Sequence, residues 1–398
     1  MKKSLFGYAL TTKALAKTGG WDIYDDKFKE ISQDEYGNLL LPTDKFDASK
    51  SNLEIPSPGF PPTHNLVKNA KNLISEYDYF KDIMPTSVWI SGTNGKTTTT
   101  KMAQFLLEKY GSDIGGNVGN PLATLNKNAK IWILETSSFT LHYTKFASPN
   151  VYILLPITPD HISWHGSMQE YEKAKLKPIL SMKEGSVAIL PKKYKGIESL
   201  AQILYYEDEK DLEKICGVES KNLIFKTPFL MDALMALCIE KIFFDKADFE
   251  FLNNFIIEPN KLEEIYDKFG RLWVNDTKAT NIDAALQAFK RYNEFKIHAI
   301  IGGDDKGVDL SKIFEILSKQ NAVIYAIGSN TNKIMDLSAK FNLKAFKCEF
   351  LDIAVNEISK NMKKENEVGL LSPACASLDQ FSSYAQRGDE FKKFINLI

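Results

Sequence analysis

The amino-acid sequence predicts an α/β protein of three domains. Short β-rich runs alternate with helical segments along most of the chain, and strands separated by helices argue for largely parallel sheets. A length of 398 residues suits two to three domains at roughly 100–200 residues each. The sections expected are 1–84, 85–258 and 259–398. In the first, an apolar run, a Gly-containing turn and a helical segment precede a second strand at Trp21–Asp25, and Ser57-Pro58-Gly59-Phe60-Pro61-Pro62 marks a loop. In the second, Ser87–Ser91, Lys130–Leu134, Val151–Pro156 and Val187–Leu190 read as buried strands. Thr98–Tyr110 and Gln169–Met182 read as helices, the latter interrupted by Pro178. In the third, Leu272–Val274, Ile297–Ile301, Val323–Ile327 and Val368–Leu371 are strand-like, with helices at Ile282–Tyr292 and Leu310–Lys319.

Composition narrows the function classes. Apolar residues at 44% and charged residues at 25% exclude a disordered, collagenous or small disulfide-framed chain. Fifty basic against 51 acidic residues leave no basic excess for nucleic acid. No apolar run approaches the roughly 18 residues of a membrane span; Val151–Ile157 has strand length. Lys2 and Lys3 precede Leu5–Leu10, but Thr11, Thr12 and Lys13 break that run before Ala14-Leu15-Ala16, so no secretory leader is expected. Cys216, Cys238, Cys348 and Cys375 lack CxxC spacing, which fits a reducing cytoplasm better than a zinc site or a disulfide framework.

The chemistry starts at Val88-Trp89-Ile90, which runs into Ser91-Gly92-Thr93-Asn94-Gly95-Lys96-Thr97-Thr98. Strand, Gly-rich turn and helix form the context of a phosphate cradle. Glycines let backbone N–H groups face phosphate oxygens, and the helix N-terminus adds partial positive charge. Lys96 suits the β and γ oxygens, and the Thr97 hydroxyl suits Mg²⁺. Ile90 stands where the usual spacing has its first glycine.

The shortened loop Gly92–Thr98 resembles that of the Mur ligases and the related folylpolyglutamate synthases, which are ATP-dependent amide-forming enzymes. Further segments continue the resemblance in order. Gly116-Asn117-Val118-Gly119 is similar to a cleft-lining G-N-I-G, and Glu135-Thr136-Ser137-Ser138-Phe139 to E-x-S-S-F, whose carboxylate would hold Mg²⁺. Thr158–His165 resembles a segment whose first His binds a second Mg²⁺, a position taken by His161; Pro156 and Ser163 depart from its Asn and Asp. Tyr171–Lys177 is similar to the segment of the family's carbamylated lysine, with Lys175 at that position. By spacing alone Lys175 is one lysine among several on a solvated helix face, and the plainer alternative for Glu135 is a surface salt-bridge partner.

In the last section, Asn275–Asn281, Gly302-Gly303-Asp304-Asp305-Lys306-Gly307, Ser372–Phe381 and Arg387-Gly388-Asp389-Glu390-Phe391 resemble segments of the family's D-glutamate-adding branch. The resemblance assigns Lys278, Thr280, Lys306, Ser377, Leu378 and Tyr384 to the amino acid, and Asp276 and Lys261 to the nucleotide. It assigns Asn117 and Ser137, with Thr11, Asp25 and Ser57 of the first section, to the UDP-linked substrate. A substrate with two carboxylates calls for cationic and hydroxyl donors. Cys375 reads as a packing residue.

Taken together, the resemblance implies a central P-loop-type, mostly parallel sheet flanked by two Rossmann-like α/β domains. The three would bind the UDP substrate, ATP and the amino acid in that order. The implied reaction is ATP-dependent ligation of D-glutamate to UDP-N-acetylmuramoyl-L-alanine, with two Mg²⁺ ions, a carbamylated Lys175, and a cytoplasmic monomer as the working form. Because acyl transfer needs reacting atoms within roughly 3–3.5 Å, the third section would swing about a hinge near Glu258–Lys261. Two alternatives stay open. One is another amide ligase of this superfamily. The other is a catalytically silent nucleotide-binding protein, suggested by Asp232 in place of Asn and by Lys261 in place of Arg; Pro228-Phe229 also departs from the family's His-Asn.

Overall fold

The structure, a computed structural model, describes residues 2–363 and 365–398. Three sheets fall one in each expected section. The first is built from β1 (Lys2–Phe6), β2 (Trp21–Tyr24), β3 (Ser32–Gln33), β4 (Leu39–Leu41) and β5 (Ser51–Pro56), in the order β3-β4-β2-β1-β5. Only β3 runs antiparallel to its neighbour in this sheet.

The second sheet comprises β6 (Thr86–Ser91), β7 (Ser112–Gly116), β8 (Ile131–Glu135), β9 (Val151–Leu154), β10 (Val187–Pro191) and β11 (Gln202–Tyr206). Its order is β11-β10-β9-β6-β8-β7, and every pairing is parallel. All residues of β8 and β9 are buried. A parallel strand covered on both faces needs such a continuous apolar run. The chain leaves β6 for the β7 edge, then crosses from β8 to β9 on the other side of β6. That reversal opens a crevice at the carboxyl ends of β6, β8 and β9, where open α/β sheets bind ligands.

The third sheet contains β12 (Glu263–Tyr266), β13 (Leu272–Asn275), β14 (Lys296–Gly302), β15 (Ala322–Ile327), β16 (Lys344–Glu349) and β17 (Glu367–Leu371). The order is β12-β13-β17-β14-β15-β16, with β12 antiparallel and the rest parallel.

The chain divides into two compact units, Met1–Phe255 and Ile256–Ile398. Within the first unit, Leu5, Trp21 and Ile23 share one apolar core with Trp89, Trp132 and Tyr152, so the first two sheets are packed as one body. In the second, Trp273, Ile300, Tyr325 and Phe391 anchor a separate core.

The helix expected to be interrupted at Pro178 is continuous from Met168 to Ser181. Proline removes one intrahelical donor. Tyr171, Ala174, Lys175, Pro178 and Ile179 are its buried residues, a stripe at helical spacing, and the packing of that stripe holds the turn. Among the described residues no helix is long and apolar enough to cross a membrane.

Candidate active site

The loop after β6 is stitched to its neighbours at the crevice. Leu155 N–H donates to Ser91 O at 2.9 Å and Thr93 N–H to Pro156 O at 3.1 Å. The Thr93 hydroxyl accepts the Thr158 N–H at 2.9 Å and shares a 3.0 Å hydrogen bond with the Tyr171 hydroxyl. On the other side, Thr136 N–H donates to Ile90 O at 2.8 Å, and the Ser91 hydroxyl donates to Thr136 O at 3.0 Å. Gly92 has φ +141°, and a Cβ there would stand 2.5 Å from the Cβ of Leu155. Only glycine lets the loop pass so close to the β9 strand end.

Lys96, Thr97 and Thr98 open the helix Lys96–Leu107, directed by the left-handed Gly95 at φ +87°. Lys96 Nζ donates to Gly92 O at 3.0 Å and Thr93 O at 2.8 Å, so the ammonium lies folded over its own loop. Asp232, which stands where the family has Asn, is buried. Its Oδ1 accepts from the Thr99 hydroxyl at 2.8 Å and would lie 2.6 Å from a Cβ on Gly95. Asp232 therefore supports the phosphate loop from beneath.

Lys175 is 1% exposed. Its Nζ donates to Gly92 O at 2.8 Å and lies 3.3 Å from the Ser91 hydroxyl, 4.9 Å above the Tyr171 ring. The solvated-face alternative is thereby overturned: the lysine belongs to the buried stripe of its helix and meets the phosphate loop. Burial, then the charge of Lys96, push its amine well below the usual lysine range. Lys173 is exposed, and Lys177 donates to His142 O at 2.9 Å.

Glu135 is no surface ion-pair partner either, being 2% exposed. Its Oε1 accepts from Asn117 Nδ2 at 2.7 Å, and its Oε2 is buried with no hydrogen-bond partner. An orphaned carboxylate oxygen at a strand end beside a phosphate loop fits a divalent cation, an oxygen-seeking ion. Ser137 is buried and caps the helix Ser138–Tyr143 by accepting the Thr140 N–H. His161 is exposed at φ +52°, with Nε2 3.5 Å from Asp160 Oδ2 and its ring 4.7 Å from that of Phe139. His165 is buried, its Nε2 2.9 Å from the Ser138 hydroxyl, and burial pushes it down to about 4. Among the described residues no group of three or more His, Cys, Asp and Glu side chains converges on one point.

At the first sheet, Thr11, Asp25 and Ser57 follow the carboxyl ends of β1, β2 and β5 and so share one edge. Thr11 is half-buried on the helix Leu10–Ala16. The Asp25 carboxylate takes the Tyr8 N–H at 2.7 Å and the Lys27 N–H at 2.9 Å. Ser57 N–H donates to Phe6 O at 2.7 Å.

In the second unit, three segments meet at the carboxyl ends of β13, β14 and β17. Asp304 and Ala376 exchange backbone hydrogen bonds of 3.0 and 2.9 Å, joining the Lys306 loop to the Ser377 segment. Arg387 is 1% exposed. Its Nε donates to the Thr277 hydroxyl at 2.9 Å, and its Nη2 to Thr277 O at 3.0 Å and Cys375 O at 3.2 Å. This one guanidinium ties the Lys278 segment to the Ser377 segment. Lys306, Leu378, Thr280 and Tyr384 are exposed at this edge, and Ser377 is buried. Lys278 is half-buried, 3.6 Å from Glu258.

Asp276 accepts from the Ser372 hydroxyl at 2.7 Å and from Leu262 N–H at 3.2 Å. Burial pushes its carboxyl up to about 7, against the hydrogen bonds from Ser372 and Leu262 and the charge of Lys261. Burial also raises the Cys375 thiol to about 12, in keeping with a packing role.

Sequence reasoning passed over Tyr171 as a functional contact, and took Asp232 only as a departure. The spacing of Tyr171, Ala174, Pro178 and Ile179 is the signal that could have placed Lys175 on a buried face.

Residues 90–210 match the Mur ligase middle domain. The chain is 59% identical to the UDP-N-acetylmuramoylalanine–D-glutamate ligase of Campylobacter jejuni subsp. jejuni serotype O:23/36 (strain 81-176), over 100% of both chains. It is 43% identical to the enzyme of that name from Helicobacter pylori (strain HPAG1), over 99% of each. In fold it is similar to the MurF ligase of Thermotoga maritima in complex with ADP, with a TM-score of 0.61 at 16% identity, covering 99% of this chain and 94% of that one.

Proposed function

The chain belongs to the UDP-N-acetylmuramoylalanine–D-glutamate ligase family, and from that membership we propose how its residues perform the ligation. ATP transfers its γ-phosphoryl group to the terminal carboxylate of UDP-N-acetylmuramoyl-L-alanine, releasing ADP. The free amine of D-glutamate adds to the carbonyl carbon of the acyl phosphate, loses a proton, and the tetrahedral intermediate expels phosphate. Activation is required because a carboxylate is a poor acyl donor to an amine.

The loop amides of Gly92–Thr98 receive the phosphates, and Lys96 exchanges its loop carbonyls for phosphoryl oxygens, countering the charge that develops in transfer. Thr97 and Glu135 Oε2 would hold one divalent cation, and His161 with a carbamylated Lys175 would belong to the second site. When bound, two Mg²⁺ ions screen anionic partners that would otherwise repel. Lys175, depressed by burial, supplies the neutral amine that carbamylation needs. Lys278, Thr280, Lys306, Ser377, Leu378 and Tyr384 receive D-glutamate, and Asp276 with Lys261 lies on the nucleotide side. Asn117 and Ser137, with Thr11, Asp25 and Ser57, receive the UDP-linked substrate. By this reading residues 1–84, 85–258 and 259–398 handle the UDP substrate, ATP and the amino acid in turn, in a cytoplasmic monomer.

The observation that carries the proposal is the burial of Lys175 against Gly92 O. A charged side chain almost never sits fully buried without a partner charge, so its amine is held for a chemical task. The test is phosphate release with ATP, Mg²⁺ and UDP-N-acetylmuramoyl-L-alanine, comparing D-glutamate with L-lysine, and tetrahydrofolate as the alternative acceptor. Release that depends on D-glutamate is expected. Equal release with the other substrates, or none at all, refutes the proposal.

A further inference from the structure

The Lys306 loop is braced from behind by a charge cluster. Lys306 occupies the left-handed region at φ +51°, and its N–H donates to Asp304 Oδ1 at 2.9 Å. The next carboxylate, Asp305, has a side chain only 13% exposed. Its Oδ1 accepts the Gly307 N–H at 2.8 Å. Its Oδ2 accepts from Asn330 Nδ2 at 3.1 Å and from Lys333 Nζ at 2.9 Å.

Both partners grip the loop elsewhere too. Asn330 Oδ1 accepts the Gly303 N–H at 3.1 Å, and its Nδ2 also reaches Cys375 Sγ at 3.4 Å. Lys333 Nζ donates to Val308 O at 2.7 Å. The loop is thus fastened at residues 303, 305 and 308 to the segment that opens the helix Thr331–Lys340. The same cluster has an electrostatic side. Asp305 places a negative charge next to a lysine read as a carboxylate receptor, and Lys333 is the cation that offsets it.

We propose that Lys333, acting through Asp305 and Asn330, is a positioning residue that sets the affinity of Lys306 for the carboxylate of the incoming amino acid. The proposal rests on the reading of Lys306 given above. A solitary exposed ion pair would contribute little. Here Lys333 joins two points of one short loop and offsets the charge of Asp305 beside Lys306, and groups in such a network couple.

Steady-state kinetics on the full chain separate these effects. Lys333→Met is expected to raise KM for D-glutamate roughly three- to thirtyfold while KM for ATP stays within about twofold. Lys333→Arg should restore most of the affinity, because a cation again meets Asp305. Adding Asp305→Asn to Lys333→Met should lower KM again, because the uncompensated carboxylate is gone. Lys319→Met, which removes an exposed pair with Glu315, should change neither constant.

An unchanged D-glutamate KM in Lys333→Met, an equal rise in KM for ATP, or a double variant worse than Lys333→Met overturns the inference. Lys306→Ala is measured beside them. If it leaves KM for D-glutamate unchanged, the reading of Lys306 fails. If it raises that KM while Lys333→Met does not, only the brace fails. Should Lys333→Met not fold, Lys333→Gln carries the same test, since it removes the cation that meets Asp305 and keeps a donor for Val308 O. It should raise KM for D-glutamate in low salt, and an unchanged value overturns the inference.

Discussion

Replacing Lys175 by methionine should raise the melting temperature and sharply lower turnover together, and the two effects have one cause. The wild-type amine is buried, and its pKa lies well below the usual range. An unfolded lysine titrates near 10.4. With the folded value depressed, the native state binds fewer protons than the unfolded chain across the window between the two. Stability is therefore lost as pH falls from about 10.4 toward the folded value, and below that value the whole penalty is present; each pH unit of the window is worth about 1.4 kcal/mol. Methionine keeps most of the side-chain volume and removes the penalty. It forfeits the bonds to Gly92 O and the Ser91 hydroxyl, at about 1 kcal/mol each. Neither partner is orphaned, because Gly92 O also accepts from Lys96 and the Ser91 hydroxyl donates to Thr136 O. A depression deep enough to outweigh those two bonds leaves a net gain, read as roughly 2–4 °C per kcal/mol in a unit of this size. Turnover should fall about 10–100-fold or further, as when a group orienting a metal site is removed. The assays are thermal melts in CO₂-free buffer between pH 7 and 10, and phosphate release in the presence and absence of bicarbonate. A Lys175→Met protein that melts lower at pH 7 with the wild-type pH slope, or one that turns over normally, refutes the reasoning.

Other perturbations test neighbouring parts of the argument. Lys96→Ala should leave the melting curve near that of wild type and remove phosphate release; a folded variant with near-normal turnover would displace Lys96 from the phosphoryl site. Gly92→Ala brings a Cβ within 2.5 Å of Leu155 and should cost about 1–3 kcal/mol of stability along with ATP affinity, which denaturant melts and nucleotide titration would show; unchanged ATP binding counts against the tight loop. Asp276, raised to about 7 by burial, binds a proton more readily folded than unfolded. Its contribution is fully present below about pH 4 and is lost as pH rises through 7, up to about 4 kcal/mol in all. Asp276→Asn should therefore flatten the pH dependence of melting and melt higher than wild type at pH 8; parallel curves from pH 4 to 8 would show that Asp276 does not titrate in this window.

The local record was easy to read. The strand–Gly–Lys-Thr run at Val88–Thr98 specifies its own turn, because glycine at positive φ and an amide-rich helix start are properties of a few consecutive residues. The same holds for β8 and β9, whose unbroken apolar runs require cover on both faces. Pro178 misled because a local breaker rule lost to burial of the stripe around it.

Partnership and burial were decided elsewhere. In sequence Lys173, Lys175 and Lys177 look alike, and only the packing of their helix against the phosphate loop buries one of them. Asp232 reads as a departure until the helix Phe229–Phe244 brings it beneath Gly95. Arg387 reaches back 110 residues to Thr277 and ties it to Cys375, and Asp305 finds Lys333 from the far end of the next strand. Periodicity and glycine content act over one or two turns of backbone, so they are written in neighbouring residues. A shifted pKa or a braced loop depends on which distant groups the sheet order brings within hydrogen-bonding reach, and that depends on topology.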